Sequence, residues 1–443
     1  MWWVFLACTA PDEASPSLAE VASRVVEGDL DKPYGDAVFD VGDVDGDGAD
    51  DIGIAWASEG DLEGRAGNVD IYTLSGHVAT ITDAVSARWI VATGECSSPR
   101  VPGNLNVVPL GDLDGDGLGE VAVGHPHADN GVVAVYGGAQ LVDGAFLGPH
   151  SAFWQIEPAA ATWSFGSDLA SGDIDGDAYT DLVVGAPITD APLYGGEAYV
   201  LLGQDLRQAT DIVAADEIGM RLATNLPGEH LGERVAILED LDGDGLGEIA
   251  LLASACSRDP EEGYVSVVPG SYYIGGGHRT TASLAKLYSE EPRLNLLSLG
   301  DADGDGLGDL AVGGAKDAEG QDSVLVLSGR TLSQGGEVEP PEHRFYTGGD
   351  SRSALTVWQV DGHTEVLGYD GGYLVRVAEP VWAEGWFKSE SWTTPCPGDE
   401  VEPWRRQLAV GDFDGDGRDE IAFGEPGWPD CEELQPGAVF VIE

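Results

Sequence analysis

Basic residues are scarce in this chain: 21 Lys and Arg, only four of them lysine, stand against 79 Asp and Glu in 443 residues, a formal net charge of −58. Such a field repels nucleic-acid phosphates and anionic membrane surfaces, and it favours cations and basic partners. No apolar run reaches the 18 or so residues a membrane-spanning helix needs. No Pro- or Ser-rich linker interrupts the chain, so its length reads as one large repeat-built domain rather than several joined ones. There is no Gly-x-Ser-x-Gly elbow, phosphate-binding loop or zinc signature, which removes the enzyme classes those motifs mark. The five cysteines (Cys8, Cys96, Cys256, Cys396 and Cys431) never stand at short spacing from another Cys or His, which argues against a thiolate metal site.

One nine-residue acidic loop is present in six copies, at intervals of 69, 61, 67, 61 and 111 residues. Each reads Asp-x-Asp-Gly-Asp and carries Asp or Glu at position nine. The carboxylates are Asp43, Asp45, Asp47 and Asp51; Asp112, Asp114, Asp116 and Glu120; Asp173, Asp175, Asp177 and Asp181; Asp240, Asp242, Asp244 and Glu248; Asp301, Asp303, Asp305 and Asp309; and Asp412, Asp414, Asp416 and Glu420. Carboxylates on alternate residues of a tight turn converge on one point, as a hard cation taking six to eight oxygens at roughly 2.3–2.6 Å requires. The expected occupants are therefore about six calcium ions. The position-seven carbonyls of Ala49, Leu118, Tyr179, Leu246, Leu307 and Arg418 would complete the shells. Glycines at positions four and six supply left-handed backbone; Ala178 replaces the second of them in the third copy. An EF-hand would need a bidentate Glu at position twelve, where this chain has Ile54, Val123, Val184, Leu251, Val312 and Phe423.

Each loop runs into a strand-like alternation, such as Ile52 and Ile54 or Val121 and Val123, with small residues such as Gly53 and Ala122 between. The last interval is nearly two periods long, and a degenerate unit, about residues 340–395, fills it: Gln359, Val360, Asp361 and Gly362 stand where a loop belongs, followed by Tyr373 to Val375. Seven units of about 60 residues, rich in short strands and Gly turns, predict an all-β fold, a seven-bladed propeller of four-stranded blades. The chain stops at a blade's third strand. The run Ser23 to Leu30 is expected to supply the missing fourth and so close the ring.

Within a period, Phe165-Gly166 precedes the loop and Gly185-Ala186-Pro187 follows it; Tyr34-Gly35, Leu231-Gly232, Gly124-His125-Pro126 and Gly424-Glu425-Pro426 repeat the pair elsewhere. This closely resembles the FG-GAP repeat of the integrin alpha-subunit head and its bacterial relatives, over about residues 20 to 443. The resemblance implies a calcium-stabilised interaction module, of adhesion type, whose protein or glycan ligand sits on the face opposite the calcium loops. For function this is a weaker guide than for fold, since propellers host many activities. A hydrolase or polysaccharide lyase working at the ring mouth is the alternative, and a lectin is a third reading. The best catalytic candidates, His125 and His127, are expected in an exposed turn, and no catalytic constellation accompanies them.

The N-terminus divides from the propeller (19–443) as a segment of residues 1–18. Its Leu6-Ala7-Cys8 resembles the end of a bacterial lipoprotein signal, in which Cys8 carries the lipid and the following stretch is a tether; Phe5 stands where Leu is usual. An outer-membrane or cell-surface lipoprotein follows, with unlipidated secretion or a misplaced gene start as the alternatives. Membrane contact is then expected only through the Cys8 anchor. Calcium sites weak enough to fill at roughly 10⁻⁴–10⁻³ M also fit an extracytoplasmic location. The other four cysteines are an even number, as an oxidising compartment favours. Cys396 and Cys431 fall in loops of the last blade that share a face, which predicts a disulfide; pairing of Cys96 with Cys256 stays open. Trp154 and Tyr288 recur at matching places and read as structural. Trp382, Trp392, Trp404 and Trp428 do not recur, and an exposed subset of them could stack on sugar rings.

Overall fold

In the computed structural model each acidic loop is the turn between an inner strand and the next strand outward, as the alternating runs predict. The structure describes residues 24–27, 37–57, 67–82, 105–126, 131–141, 145–158, 162, 164–189, 195–209, 211–254, 263–273, 277–280, 283–289, 294–316, 322–339, 344–345, 355–360, 363–370, 373–377, 390–393, 408–425 and 438–442. All five cysteines, the 1–18 segment, His127, Asp361, Trp382, Trp404 and Trp428 lie outside these residues.

The chain enters with β1 (Arg24–Glu27), which belongs to the last sheet. The first sheet is β2 (Ala37–Gly42), β3 (Asp51–Ala57), β4 (Gly67–Thr73) and β5 (Gly76–Thr82). The second is β6 (Asn106–Gly111), β7 (Glu120–His125) and β8 (Val132–Tyr136), then, after an excursion through β9 (Ala145–Leu147), β10 (Trp154–Glu157). The third is β11 (Asp168–Gly172), β12 (Asp181–Ala186) and β13 (Glu197–Leu201), then, past β14 (Asp211–Ala214), β15 (Gly219–Ala223). The fourth is β16 (Leu231–Leu238), β17 (Glu248–Ala253) and β18 (Gly263–Val268), then, past β19 (Gly277–Thr280), β20 (Ala285–Ser289). The fifth is β21 (Asn295–Gly300), β22 (Asp309–Lys316) and β23 (Asp322–Leu327), then, past β24 (Gly336–Val338), β25 (Arg344–Phe345). Next come β26 (Leu355–Val360), β27 (His363–Asp370), β28 (Tyr373–Val377) and β29 (Glu390–Thr393). The last sheet holds β30 (Leu408–Gly411), β31 (Glu420–Glu425) and β32 (Ala438–Ile442).

The architecture is an all-β propeller. Inner strands touch in the order β2, β6, β11, β16, β21, β26, β30 and back to β2. The described residues show six blades built on the acidic loop rather than seven alike; the sheet β26–β29 has no such loop. Its reason is chain length: β26 ends at Val360 and β27 begins at His363, so only two residues separate them, against the eight between β2 and β3. Gln359 and Val360, read from sequence as a degenerate loop, are strand residues.

Two features of the predicted blade change. Four sheets have five strands, not four, because the excursions β9, β14, β19 and β24 each lie parallel to the outermost strand of the preceding sheet. Each such strand ties a blade to its neighbour and covers its edge. At the N-terminus, β1 pairs antiparallel with β32, Arg24 opposite Val441 and Glu27 opposite Ala438. The first described strand therefore completes the last sheet, and the Arg24 guanidinium reaches on to the Thr73 carbonyl of the first blade at 3.1 Å.

The core lies between blades. Leu110, Val133 and Trp154 of the second blade pack on Leu182, Tyr199 and Leu206 of the third, and Trp358 and Leu367 pack on Ile421, Phe423 and Ile442. Blades must approach closely for this, and glycines permit it. A Cβ on Gly124 would fall 2.1 Å from the Gly166 carbonyl oxygen, and one on Gly185 would fall 2.2 Å from that of Gly232. Gly124 thus meets the glycine two places before the next blade's inner strand, and Gly185 the second residue of the next one, with Phe165 or Leu231 buried beside them. Gly185 has an ordinary φ, so Gly185→Ala meets only the steric clash, a misfit on the scale of overpacked cores, about 1–3 kcal/mol. Thermal or urea unfolding should show that loss, while Gly148→Ala, with nothing nearer than 3.9 Å, stays within about ±0.5 kcal/mol. Equal behaviour of the two variants would mean that the blades do not rely on this contact.

Candidate metal centres

The loop backbone is wound around its own carboxylates. In the first copy Asp43 Oδ1 accepts from the Gly46 N–H (2.7 Å) and Asp43 Oδ2 from the Gly48 N–H (3.0 Å), while Asp47 Oδ1 accepts from the Ala49 N–H (3.0 Å). The same bonds recur in the second, third and fourth copies, at 2.6–3.0 Å from Asp112, Asp173 and Asp240. Glycines at positions four and six lie at positive φ, for example Gly46 at 77° and Gly48 at 93°; Ala178 takes φ 70° in the third loop and carries the strain alone.

Position nine turns inward. Asp51, Glu120, Asp181, Glu248, Asp309 and Glu420 are all buried. One oxygen accepts from the position-two N–H, as Val44 to Asp51 at 2.9 Å, Leu113 to Glu120 at 2.7 Å and Ile174 to Asp181 at 2.7 Å. In three loops the other oxygen takes a second backbone N–H from beyond the third strand: Gly203 to Asp181 (2.6 Å), Gly270 to Glu248 (3.2 Å) and Gly329 to Asp309 (2.9 Å). These glycines escaped the sequence reading. Their signal was a Gly following the third strand, at Gly138, Gly203, Gly270 and Gly329. A side chain there would run into the loop, its Cβ 2.3–2.6 Å from the nearest atom of position seven or eight.

Carboxylate oxygens of positions one, three and nine lie within 4.8 Å of one another in loops one, two, three and five, and the fourth loop brings Asp240, Asp242, Asp244 and Glu248 together. Position five joins that cluster only in the fourth of these; in every loop one of its oxygens accepts from the position-seven N–H, and at Asp305 the other also accepts from Arg330. The donor set is hard oxygen throughout, which suits calcium. A stricter test comes from buried oxygens: Asp51 Oδ1, Asp412 Oδ1 and Glu420 Oε2 are shielded from solvent with no hydrogen-bond partner. Orphaned anionic oxygens are costly in a protein interior, and a cation would satisfy them. The residues fit calcium.

The loops also join edge to edge. The Gly119 N–H donates to the Asp43 carbonyl (2.8 Å), Gly247 to Ile174 (2.7 Å), Gly308 to Asp240 (3.3 Å) and Asp50 to Asp412 (2.8 Å). At the sheet without a loop, the Trp358 indole N–H donates instead to the Asp419 carbonyl at 2.9 Å.

Two stretches match the FG-GAP repeat. They are residues 165–201 and 404–442, in the third and last blades. The chain is also similar to integrin alpha-V of Gallus gallus (29% identical over 179 residues, 39% of this chain and 15% of the relative). Integrin alpha-4 of Xenopus laevis is 29% identical over 179 residues, and integrin alpha-PS2 of Drosophila melanogaster 33% over 161 residues. The matched part spans about a sixth or less of these relatives' own length. Together with the sheets, these matches support an integrin alpha-like FG-GAP propeller.

Other expectations fare unevenly. His125 is no exposed turn residue: it is fully buried at the end of β7, its ring 3.4 Å from the Tyr136 hydroxyl. Trp154 is buried as a structural residue should be, whereas Tyr288 is 43% exposed beside Tyr264. The sequence reading also missed Asp40, whose pKa burial raises to about 7, with Asp50 and Asp419 adding to it.

Burial pushes the position-nine carboxyls up, the loop aspartates push them further, and backbone N–H donors offset part. Asp51 reaches about 8, Glu120, Glu248 and Glu420 about 7, and Asp181 and Asp309 about 6. A carboxyl whose folded pKa exceeds its unfolded value holds its proton more tightly when folded. Its stabilisation is complete below about pH 4 and is lost as pH rises through 6–8. The metal-free protein should therefore melt progressively lower between pH 5 and pH 8, and saturating calcium should abolish that decline. A metal-free melting temperature that climbed over this range would contradict the buried-carboxyl geometry.

Proposed function

We propose that this chain is a calcium-stabilised, seven-bladed propeller, with β26–β29 as a degenerate blade, that acts outside the cytoplasm as a protein- or glycan-interaction module. The observation that carries the calcium reading is the set of buried, unpartnered oxygens on Asp51, Asp412 and Glu420 within repeated oxygen-only loops. The role as an interaction module rests on the similarity to integrin alpha chains. Binding rather than catalysis is the proposed activity, and the ligand face is the one opposite the loops. The loops are busy holding the blades to one another, which leaves the other face free to vary.

No described helix is long and apolar enough to cross a membrane. Export with a lipid at Cys8 is part of the proposal, resting on Leu6-Ala7-Cys8. Metabolic labelling with a fatty acid, lost in Cys8→Ser, checks it; labelling that survives the substitution rules it out. The Cys396 to Cys431 disulfide is proposed on the same footing, and thiol counting under denaturing conditions tests it.

Ion stoichiometry tests the central claim. Native mass spectrometry should count about six calcium ions on the wild-type chain and one fewer on Asp175→Ala, with Asp361→Ala unchanged. Two or fewer ions on the wild type would defeat the calcium reading. Because an ion that binds only the folded state stabilises it by mass action, about 2.7 kcal/mol at a hundredfold excess over Kd, EDTA should lower the melting temperature markedly.

A further inference from the structure

The six loops are wound alike, yet what stands over them differs. The residue after each post-strand glycine is Ala139, Gln204, Ser271 or Arg330 in blades two to five. Its place is fixed by backbone, because the preceding glycine clasps the position-nine carboxylate in three of these four blades. From that place the side chain reaches the loop. Gln204 Nε2 approaches Asp175 Oδ2 at 3.5 Å, and Arg330 Nε donates to Asp305 Oδ2 at 2.9 Å. Asp305 is only 16% exposed, while Arg330 lies 69% exposed across it. In the third loop the nearby Arg207 is held differently, its guanidinium over the Tyr179 ring at 4.3 Å rather than on a carboxylate.

We propose that Arg330 is a built-in competitor cation at the fifth loop, so that this site fills at a higher calcium concentration than its neighbours. The inference rests on the calcium reading above. A guanidinium paired with Asp305 engages one of the site's four carboxylates and places a permanent positive charge beside a divalent ion. At a separation of about 5 Å, even in a water-like dielectric, the repulsion corresponds to roughly a tenfold loss of affinity. Swinging the arginine out into solvent sheds the repulsion only at the cost of its ion pair with Asp305, so affinity is lost either way. The fifth blade would then respond to calcium levels over a range in which the other five sites are already filled. Arg330 is thus an affinity-determining residue and not itself a ligand.

Calorimetric titration of the calcium-stripped full chain with calcium, at fixed ionic strength, tests this. The wild type should show five tight ions and one weaker by about tenfold. In Arg330→Gln the weak step should merge with the tight ones, whereas Arg330→Lys should keep part of the difference. Asp303→Asn should remove the weak step alone, which assigns it to the fifth loop. Arg330 is exposed, so these variants should fold, and a melting curve in saturating calcium checks that they do. Six ions binding to Arg330→Gln with a curve superimposed on the wild type would overturn the proposal and leave the calcium reading standing. No ion uptake by either protein would overturn both.

Discussion

The structure hangs on a buried carboxylate that closes each acidic loop from within. Position nine lies at the base of the second strand, where its two oxygens gather the N–H of position two and, in blades three to five, the N–H of a glycine beyond the third strand. One side chain thereby fixes the loop, the start of a strand and the exit of another. It does so at an electrostatic cost, since it sits out of water among two or three further aspartates. Repulsion of that kind cannot be relieved by moving apart, because the backbone bonds hold the oxygens in place. A divalent ion would resolve the conflict where it arises and make fold and ion binding a single problem.

The repeat and its ligand spacing were legible because both are local. Asp-x-Asp-Gly-Asp dictates a tight turn with positive φ at Gly46 and Gly48, and it needs no information from the rest of the chain. The strands after each loop were equally plain, since Ile52 and Ile54 alternate with small residues inside one hairpin. What escaped the reading was long-range. Nothing in the sequence around Asp211–Ala214 says that it will lie on the edge of the preceding blade, because that pairing depends on how far a connection must travel across the ring. The glycine after the third strand is 22 residues from the carboxylate it serves in blade three, and no local pattern links the two. His125 looked like a turn residue from its neighbours Gly124 and Pro126, yet the strand continues through it into the core. The carboxylates expected at positions one, three and nine do come together in loops one to five. The Arg330 guanidinium on Asp305 needed three dimensions, because it comes from another connection 25 residues away.

The FG-GAP signature acquires a physical meaning in this geometry. Its two halves belong to different sides of one junction: the glycine of one blade's second strand faces the glycine at the entry to the next, backbone to backbone. Small residues there let the apolar clusters between sheets pack without a gap, and Phe165 or Leu231 fills the space alongside. The junction of the third and fourth blades is therefore specified twice, at one face by Gly185 against Gly232 and at the other by the Gly247 N–H on the Ile174 carbonyl. Interiors packed this densely transmit strain, so a change at either face is felt along the whole seam.

Closure is the place where this scheme is under most demand. A ring must bring its last blade against its first, and here β1 pairs with β32 while the Asp50 N–H bonds to Asp412 and the Asp412 N–H bonds back to Asp50 Oδ2 at 3.0 Å. The loops on both sides of this seam are the ones that keep buried oxygens without partners, on Asp51, Asp412 and Glu420. On the other side of the last blade, the neighbouring sheet has no loop to offer, and the Trp358 indole N–H donates to the Asp419 carbonyl, the reverse of the loop bonds in which position eight is the donor. The last blade is thus held by an unlike contact on each flank and by a strand from the other end of the chain. The two loops that flank the closing seam, one in the first blade and one in the last, hold the described buried oxygens with an unmet demand for positive charge, so an ion bound there would bear most directly on ring closure.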